Sequence, residues 1–241
     1  RLTGGASGEM SVGRMDRETL EKLASLGYVG AGAEPAPTAD PALRADPKDM
    51  IGVFNRLRAA NRAVRDRRFG DALPILREVL AKDPRNAFAQ LVLGSAYMGM
   101  GNYRAAVAQY ARYLDLVPTS SYAHQWMAIC YLRLEDRQNA LREADAALAI
   151  DSHFSDARIL KGGVLAARGD YPGAIAELRA AVEADPVKVV IRLDLAKVLA
   201  EAGRAEEAQA QYEAALTLQP DYAPALSGLG ALYGKQGKLD Q

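Results

Sequence analysis

Apolar residues along this chain recur at helical spacing in short segments, and polar breaks separate each segment from the next. The stretch from Ala87 to Pro118 shows this most clearly, with an apolar helical segment on either side of a break at Gly101-Asn102. Apolar residues three and four positions apart line one face of an α-helix. The stretch therefore predicts two helices packed as a hairpin.

The landmarks of this stretch return every 34 residues along the chain. Positions that lie 34 residues apart form a register. One register holds Pro84, Pro118, Pro186 and Pro220, with Ser152 in place of a fifth proline. One register holds only small residues: Ala60, Gly94, Ala128, Gly162, Ala196 and Gly230. Another holds only alanine: Ala72, Ala106, Ala140, Ala174 and Ala208. Small residues let helix backbones approach and large ones fill the grooves between them, so the period indicates an array of packed helical hairpins.

The pattern resembles the tetratricopeptide repeat (TPR) family, and the residues that carry the resemblance are Leu93-Gly94, Tyr97, Ala106, Tyr110 and Pro118. The resemblance implies an all-α fold, a right-handed α–α superhelix of about five repeats with a C-terminal helix. We expect an N-terminal segment at residues 1–49 and the array at 50–241. The expected repeats span residues 53–86, 87–120, 121–154, 155–188 and 189–222, with a partial repeat at 223–241.

The N-terminal segment shows no repeat. Residues 1–13 are rich in Gly and Ser, which predicts a loop. Residues 31–49 contain four prolines, which predict a semi-extended linker. Between them, leucines at helical spacing predict a short amphipathic helix from Arg17 to Leu26. Such a helix is too short to be stable alone, so we expect its leucines to dock on another surface.

A second resemblance involves the N-terminal segment, namely Leu26–Gly30, the proline-containing linker and Asp46–Asp49. Together they resemble the segment that joins a bacterial sulfatase-like hydrolase to a C-terminal repeat array. It implies an alternative role, an accessory or oligomerisation domain of a hydrolase whose catalytic domain is absent from this chain. The chain starts at Arg1 and ends where the second helix of a sixth repeat would begin, so we expect a fragment or a processed product. This resemblance implies the periplasm or cell envelope; without it, the cytoplasm is the expected compartment.

Composition excludes several classes of function. Thirty basic and thirty acidic residues leave no net charge, which argues against bulk binding of nucleic acid or of an anionic membrane. No apolar run approaches the roughly 18 residues that span a bilayer. The single cysteine, Cys130, has no partner for an internal disulfide.

Motifs for catalysis or for a cofactor are missing from the sequence. It contains no Gly-rich phosphate loop, HExxH motif, CxxC pair or nucleophile elbow, so we expect neither an enzyme nor a cofactor. His124 and Cys130 are six residues apart and do not share a helix face, and His153 falls between repeats, so no metal site is expected. Cys130 aligns with Ala96 and reads as a small buried packing residue.

Arginines crowd the first helix of the first repeat, where Arg58, Arg62 and Arg65 share one face. They fit either an anionic partner or the solvated face that a terminal repeat needs for solubility. We favour the second interpretation, because no aromatic residues for base stacking lie among them.

In the TPR family, the first helix of each repeat lines a concave groove that binds a protein or peptide partner. That implies a groove of Phe54, Leu57, Asn61, Arg65, Phe88, Leu91, Ser95, Met98, Tyr122, Gln125, Ile129 and Leu132. Repeats 4 and 5 add Asp156, Ile159, Gly163, Val190, Leu193 and Lys197. The first twelve are mostly apolar and suit a peptide or helix, supplied by an upstream domain of the same polypeptide or by a larger complex. The chain's own linker or Arg17–Leu26 helix is the alternative occupant.

The resemblance does not extend to the carboxylate clamp with which some TPR proteins grip the acidic tails of heat-shock chaperones. Asn61 matches one clamp asparagine. Apolar or aromatic residues stand at other clamp positions: Leu57, Val92, Tyr122 and Trp126. We therefore do not expect chaperone-tail binding.

Overall fold

A computed structural model describes residues 47–237, so the helix predicted at Arg17–Leu26 lies outside the described residues. Within this range the chain forms eleven α-helices and no strand. Their bounds are α1 Pro47–Arg65, α2 Phe69–Lys82, α3 Ala87–Gly99, α4 Tyr103–Leu116, α5 Ser121–Arg133, α6 Arg137–Ile150, α7 Ser155–Ala167, α8 Tyr171–Ala184, α9 Val189–Glu201, α10 Ala205–Leu218 and α11 Ala223–Gln236.

The helices form five hairpins followed by one further helix, and each hairpin packs on the next along the chain. The first helices of most successive repeats also touch, as α5 touches α7 and α7 touches α9. Successive second helices in the described range make at most weaker contacts. The stack therefore curves with the first helices on its inner side, and the predicted all-α superhelical solenoid is confirmed.

Each first helix ends in the same way. Shortly after each first helix, one residue has a positive φ, between 60° and 81°. These residues lie 34 positions apart: Arg67, Gly101, Glu135, Gly169, Gly203 and Gly237. A left-handed residue terminates a helix and reverses the chain. The side chains of Asn102, Asp136 and Asp170 then accept a backbone N–H and cap the second helices of repeats 2 to 4.

In repeats 2 and 4, a glycine of the first helix packs against a large side chain of the second helix, and small residues occupy the same register in the other repeats. Ala60, Ala128 and Ala196 are fully buried. A Cβ atom built on Gly94 would lie 2.6 Å from Cε1 of Tyr110, which is too close for any side chain to be added without movement. The glycine allows the tyrosine ring to lie against the backbone of α3.

The adjacent glycines of α7 differ in their surroundings. A Cβ atom on Gly162 would lie 2.8 Å from Cγ of Leu178. A Cβ atom on Gly163 would meet nothing within 4 Å. Gly163 is exposed, because it lies on the inner side of the solenoid rather than against the second helix.

The first helix begins earlier than the sequence indicated. The linker was expected to reach residue 49, whereas α1 begins at Pro47. Proline is well tolerated in the first turn of a helix, because the N–H that it lacks has no partner there. The proline that we assigned to the linker therefore starts the helix.

A polar pair connects the two helices of several hairpins, and its members lie 19 residues apart. Nδ1 of His124 is 2.8 Å from Oε2 of Glu143, and Nη1 of Arg158 donates to Oε2 of Glu177 at 2.8 Å. In repeat 2 the same positions hold two glutamines, Gln90 and Gln109, which are both buried. This register is not visible in the sequence, because its residue types change from repeat to repeat.

The glycine pair of α7 provides a matched test of this packing. Gly163→Ala is expected to raise the free energy of unfolding by about 0.5–1 kcal/mol, because alanine favours the helix and open space surrounds the site. Gly162→Ala gains the same propensity but loses about 1–3 kcal/mol to overpacking against Leu178. Urea unfolding of both variants measures the difference, and equal stabilities would contradict the assigned repeat register.

Candidate functional site

Two clefts open on the inner surface where α5, α7 and α9 lie side by side; we call this surface the central groove. One cleft, of about 690 Å³, has walls that include Leu132, Ile159 and Val198. The other, of about 600 Å³, has walls that include Ile129, Leu160 and Val190. Leu132, Ile159 and Leu160 line both, so the two clefts form one continuous groove.

Apolar residues form a large part of the groove walls, and one position without a side chain leaves the surface open. Ile129, Leu132 and Ile159 are half-buried, so each still presents part of its side chain to solvent. Val190 is 43% exposed. Gly163 lies on the wall of the larger cleft and leaves space where any other residue would project.

Charged residues at the groove are of both signs and largely neutralise one another. The ammonium of Lys188 pairs with the carboxylate of Asp156, and Nζ of Lys197 lies 3.6 Å from Oδ1 of Asp194. Burial raises the pKa of the Asp194 carboxyl, while Lys197 acts in the opposite direction. Two further arginines and two glutamates also line the clefts, so the groove has equal numbers of residues of each charge and no dominant charge.

Most groove residues expected in repeats 3 to 5 reach these clefts. Gln125, Ile129 and Leu132 of repeat 3 line them. So do five residues of repeats 4 and 5: Asp156, Ile159, Gly163, Val190 and Lys197. Leu193 does not, because it is buried in the core between repeats 4 and 5.

Leu57 was expected in the groove of repeat 1, and the structure corrects this. It is only 4% exposed and packs in the core of repeats 1 and 2, so no partner can contact it without unfolding the repeat. Phe54 and Asn61 are half-buried, and Arg65 is exposed. The guanidinium of Arg58 lies 5.6 Å from the ring centre of Phe54.

The four expected residues of repeat 2 are half-buried and face their neighbours. Phe88 packs on the core of repeat 1, whereas Leu91 and Met98 pack on the cluster around Tyr110. The hydroxyl of Ser95 donates to the carbonyl of Leu91 at 3.1 Å. Large side chains on adjacent helices therefore cover much of one another here, and the open clefts described above lie in repeats 3 to 5.

An aromatic group borders the groove at repeat 3. Tyr122 is 59% exposed, and its ring centre lies 4.9 Å from that of Phe154 in an edge-to-face contact. Trp126 lies between Tyr122 and Tyr110, with ring centres 6.2 Å and 5.5 Å away. The exposed ring of Tyr122 is therefore held in a fixed position by rings beneath it.

The arginines of α1 lie at the N-terminal end of the described array. In α3 the positions that pack on the preceding repeat are buried and apolar: Ala89, Leu93 and Ala96. The corresponding positions of α1 are exposed: Asn55, Ala59 and Arg62. This supports the interpretation of the arginine face as the solvated end of the array.

Cys130 and His124 have structural surroundings. Cys130 is fully buried, as expected of a packing residue, and burial raises the pKa of its thiol to about 11. His124 contacts Glu143 across the hairpin.

Among residues 47–237, no group of three or more His, Cys, Asp or Glu side chains could hold a metal ion. The described helices also include none long and apolar enough to cross a membrane.

The fold and its inner groove define a helical repeat protein. Models of the tetratricopeptide repeat match residues 63–130 and 165–213, residues 127–188 and residues 196–237. Together these matches cover residues 63–237, so the chain belongs to the tetratricopeptide repeat family.

Several solved structures share the fold at low sequence identity. PilW, a type IV pilus biogenesis factor, is 21% identical with a TM-score of 0.69, over 81% of this chain and 89% of PilW. A thermophilic TPR protein of Thermus thermophilus is 21% identical with a TM-score of 0.60, over 75% of this chain and 98% of that one. YrrB, a TPR protein with an unusual peptide-binding site, is 21% identical with a TM-score of 0.59, over 79% of this chain and 98% of YrrB.

A comparison with curated proteins finds no match. The resemblance of Leu26–Gly30 and Asp46–Asp49 to a sulfatase linker falls outside residues 63–237, which the family models match. That resemblance, and the accessory role that it implies, stay predictions.

The surroundings of Cys130 predict an unreactive thiol. At pH 8 a pKa of about 11 leaves on the order of one thiol in a thousand ionised, and only the thiolate reacts with disulfide reagents. We expect the native chain to resist such a reagent and the urea-unfolded chain to react at one site. A control variant, Ser152→Cys in a Cys130→Ala background, places a thiol in an exposed loop and should react at once. Rapid labelling of native Cys130 would contradict its burial.

Proposed function

We propose that this protein is a non-catalytic scaffold that binds a segment of a partner protein in the central groove. The observation that carries the proposal is the continuous apolar groove across α5, α7 and α9. Ligand clefts commonly measure about 300–1,000 Å³, and each of the two clefts falls in that range. Helix surfaces that expose a connected apolar groove commonly mark sites of interaction.

The dimensions of the groove favour a peptide or helix over a small polar ligand. Apolar walls from three parallel helices can receive several side chains of one segment, as in recognition of an amphipathic helix in a groove. The paired charges Lys188–Asp156 and Lys197–Asp194 leave no strong net field to select a charged ligand. YrrB, which shares the fold, has a peptide-binding site, and this supports peptide binding here.

The rigid aromatic border at Tyr122 adds a second type of contact. Exposed aromatic rings contribute large contact area at low cost in conformational entropy, and they are enriched where proteins bind one another. We therefore expect the bound segment to extend from the two clefts toward Tyr122. The partner is expected in an upstream domain of the same polypeptide or in a larger complex.

Val190→Glu is expected to weaken capture of the partner by at least about tenfold. It places a charge on an apolar wall of the groove, where binding would desolvate that charge. The thermal midpoint should change little, because Val190 is 43% exposed. Capture from a lysate of the source organism, with cross-linking from a photoreactive residue at position 133, measures the effect.

Val187→Glu is the matched control. It adds the same charge three residues away, on a side chain that is 72% exposed in the turn before α9. We expect this variant to capture the partner as the unmodified chain does. Equal capture by the Val190→Glu and Val187→Glu variants would overturn the proposed use of the groove.

A further inference from the structure

The charged residues of the central groove sum to zero, but its two clefts do not share them evenly. The smaller cleft is lined by two cations and one carboxylate, and one of its cations, Lys188, pairs with that carboxylate, Asp156. The larger cleft is lined by two cations and by three carboxylates, those of Glu135, Asp194 and Glu201. The larger cleft therefore carries an excess of negative charge.

One of these carboxylates stands where the preceding repeats have apolar side chains. Val92, Trp126 and Leu160 occupy the register of Asp194 in repeats 2 to 4. The Asp194 side chain is only 32% exposed, and this burial raises the pKa of its carboxyl because it disfavours the charged form. Burying a carboxylate costs free energy unless a cation or hydrogen-bond donors compensate for the lost water. A position that breaks the local pattern at such a cost is typical of a functional site.

Compensation for Asp194 within the described chain is incomplete. Its only ion pair with a residue of the range 47–237 is with Lys197, and Nζ of Lys197 lies 3.6 Å from Oδ1, which is longer than a hydrogen bond. The Lys197 side chain is 53% exposed, so water weakens the pair further. The Asp194 carboxylate therefore keeps acceptor capacity on the wall of the larger cleft.

The backbone adds to the negative potential of the larger cleft. Ala166 and Ala167 line it from the last turn of α7, and Val198 and Glu201 line it from the last turn of α9. Glu135 lines it from just beyond the end of α5. The C-terminal end of a helix carries a partial negative charge, because its last carbonyl groups have no partner within the helix. Three such ends border the cleft, and each favours a cation.

The rest of the wall of the larger cleft suits an aliphatic chain. Leu132, Ile159 and Val198 line it, and Gly163 leaves open space beside them. Lysine and arginine side chains have a long aliphatic stem and a charged head, and they bury the stem along apolar surface while the head meets polar groups. The cleft combines the two surfaces that such a side chain requires.

We propose that the larger cleft receives a lysine or arginine side chain of the bound segment, and that the charged head of this side chain pairs with Asp194. The stem lies against Leu132, Ile159 and Val198, and apolar residues of the same segment occupy the smaller cleft. This proposal rests on the function proposed above, because it names the side chain that the central groove selects. The partner is therefore a protein segment in which a basic residue stands among apolar ones.

Selection from a phage-displayed library of random short peptides, on the immobilised 241-residue chain, tests the proposal. We expect the selected peptides to contain a lysine or arginine among apolar residues. The Asp194→Asn variant should select apolar peptides without the basic residue, because the amide keeps the shape of the side chain and removes its charge. Glu183→Gln is the matched control, since Glu183 is exposed on α8 and lines neither cleft, and it should select the same peptides as the unmodified chain.

A pair of peptides that differ in one side chain measures the contact itself. The basic residue of a selected peptide is exchanged for its neutral counterpart, citrulline for arginine or acetyl-lysine for lysine. Fluorescence anisotropy should show about tenfold weaker binding of the neutral peptide to the unmodified chain, and less than about a twofold difference with Asp194→Asn. Lys197→Ala should tighten binding of the basic peptide several-fold and leave the neutral peptide unchanged, because it removes the cation that competes for Asp194. A purely structural role for Asp194 would not produce this gain.

The outcomes separate this proposal from the proposed function. If the unmodified chain selects apolar peptides without a basic residue, or if Asp194→Asn selects the same basic peptides, the groove still binds a segment but the assignment of the larger cleft is wrong. Equal binding of the basic and neutral peptides has the same meaning. If no selected peptide loses binding to the Val190→Glu variant, the proposed function fails, and this proposal fails with it. The Lys197→Ala comparison decides the matter even if Asp194→Asn changes the thermal midpoint.

Discussion

The contact of a small residue on one helix with a large residue on its hairpin partner is the constraint on which this structure depends. Gly94 beneath Tyr110 and Gly162 beneath Leu178 set how closely two helices approach. Because a small residue returns on this register every 34 residues, the hairpins have similar shapes, and similar shapes stacked one after another produce a regular solenoid. Each unit depends on its neighbours for burial, so the array has no single central core.

The groove is a consequence of that stacking. The first helices of successive repeats touch, while the second helices are spread apart, so the first helices form the inner surface. Once the residues of the core registers are buried, the remaining positions of α5, α7 and α9 are free to vary. Ile129, Ile159 and Val190 give these positions an apolar character, and the missing side chain at Gly163 leaves the space between them. Architecture and recognition thus use different faces of the same helices.

The ends of an array face a separate physical problem, because a terminal helix has a face that no neighbouring repeat covers. At the N-terminal end of the described residues, arginine and asparagine side chains occupy that face and are exposed. At α11 the face carries leucine and glycine, as it would between two packed helices. The two ends of the described array therefore differ in the polarity of the residues that they expose.

Sequence alone determined the repeat length, the helix pairs and the small–large registers, because these follow from spacing within one chain segment. The resemblance to the TPR family also placed Ile129 and Leu132 in the expected groove. Only the tertiary structure decided how much of each side chain remains open. Leu57 and Leu193 share the groove register, yet both are buried, because a neighbouring repeat covers them. Burial is a property of the contact between repeats, and no spacing within one repeat records it.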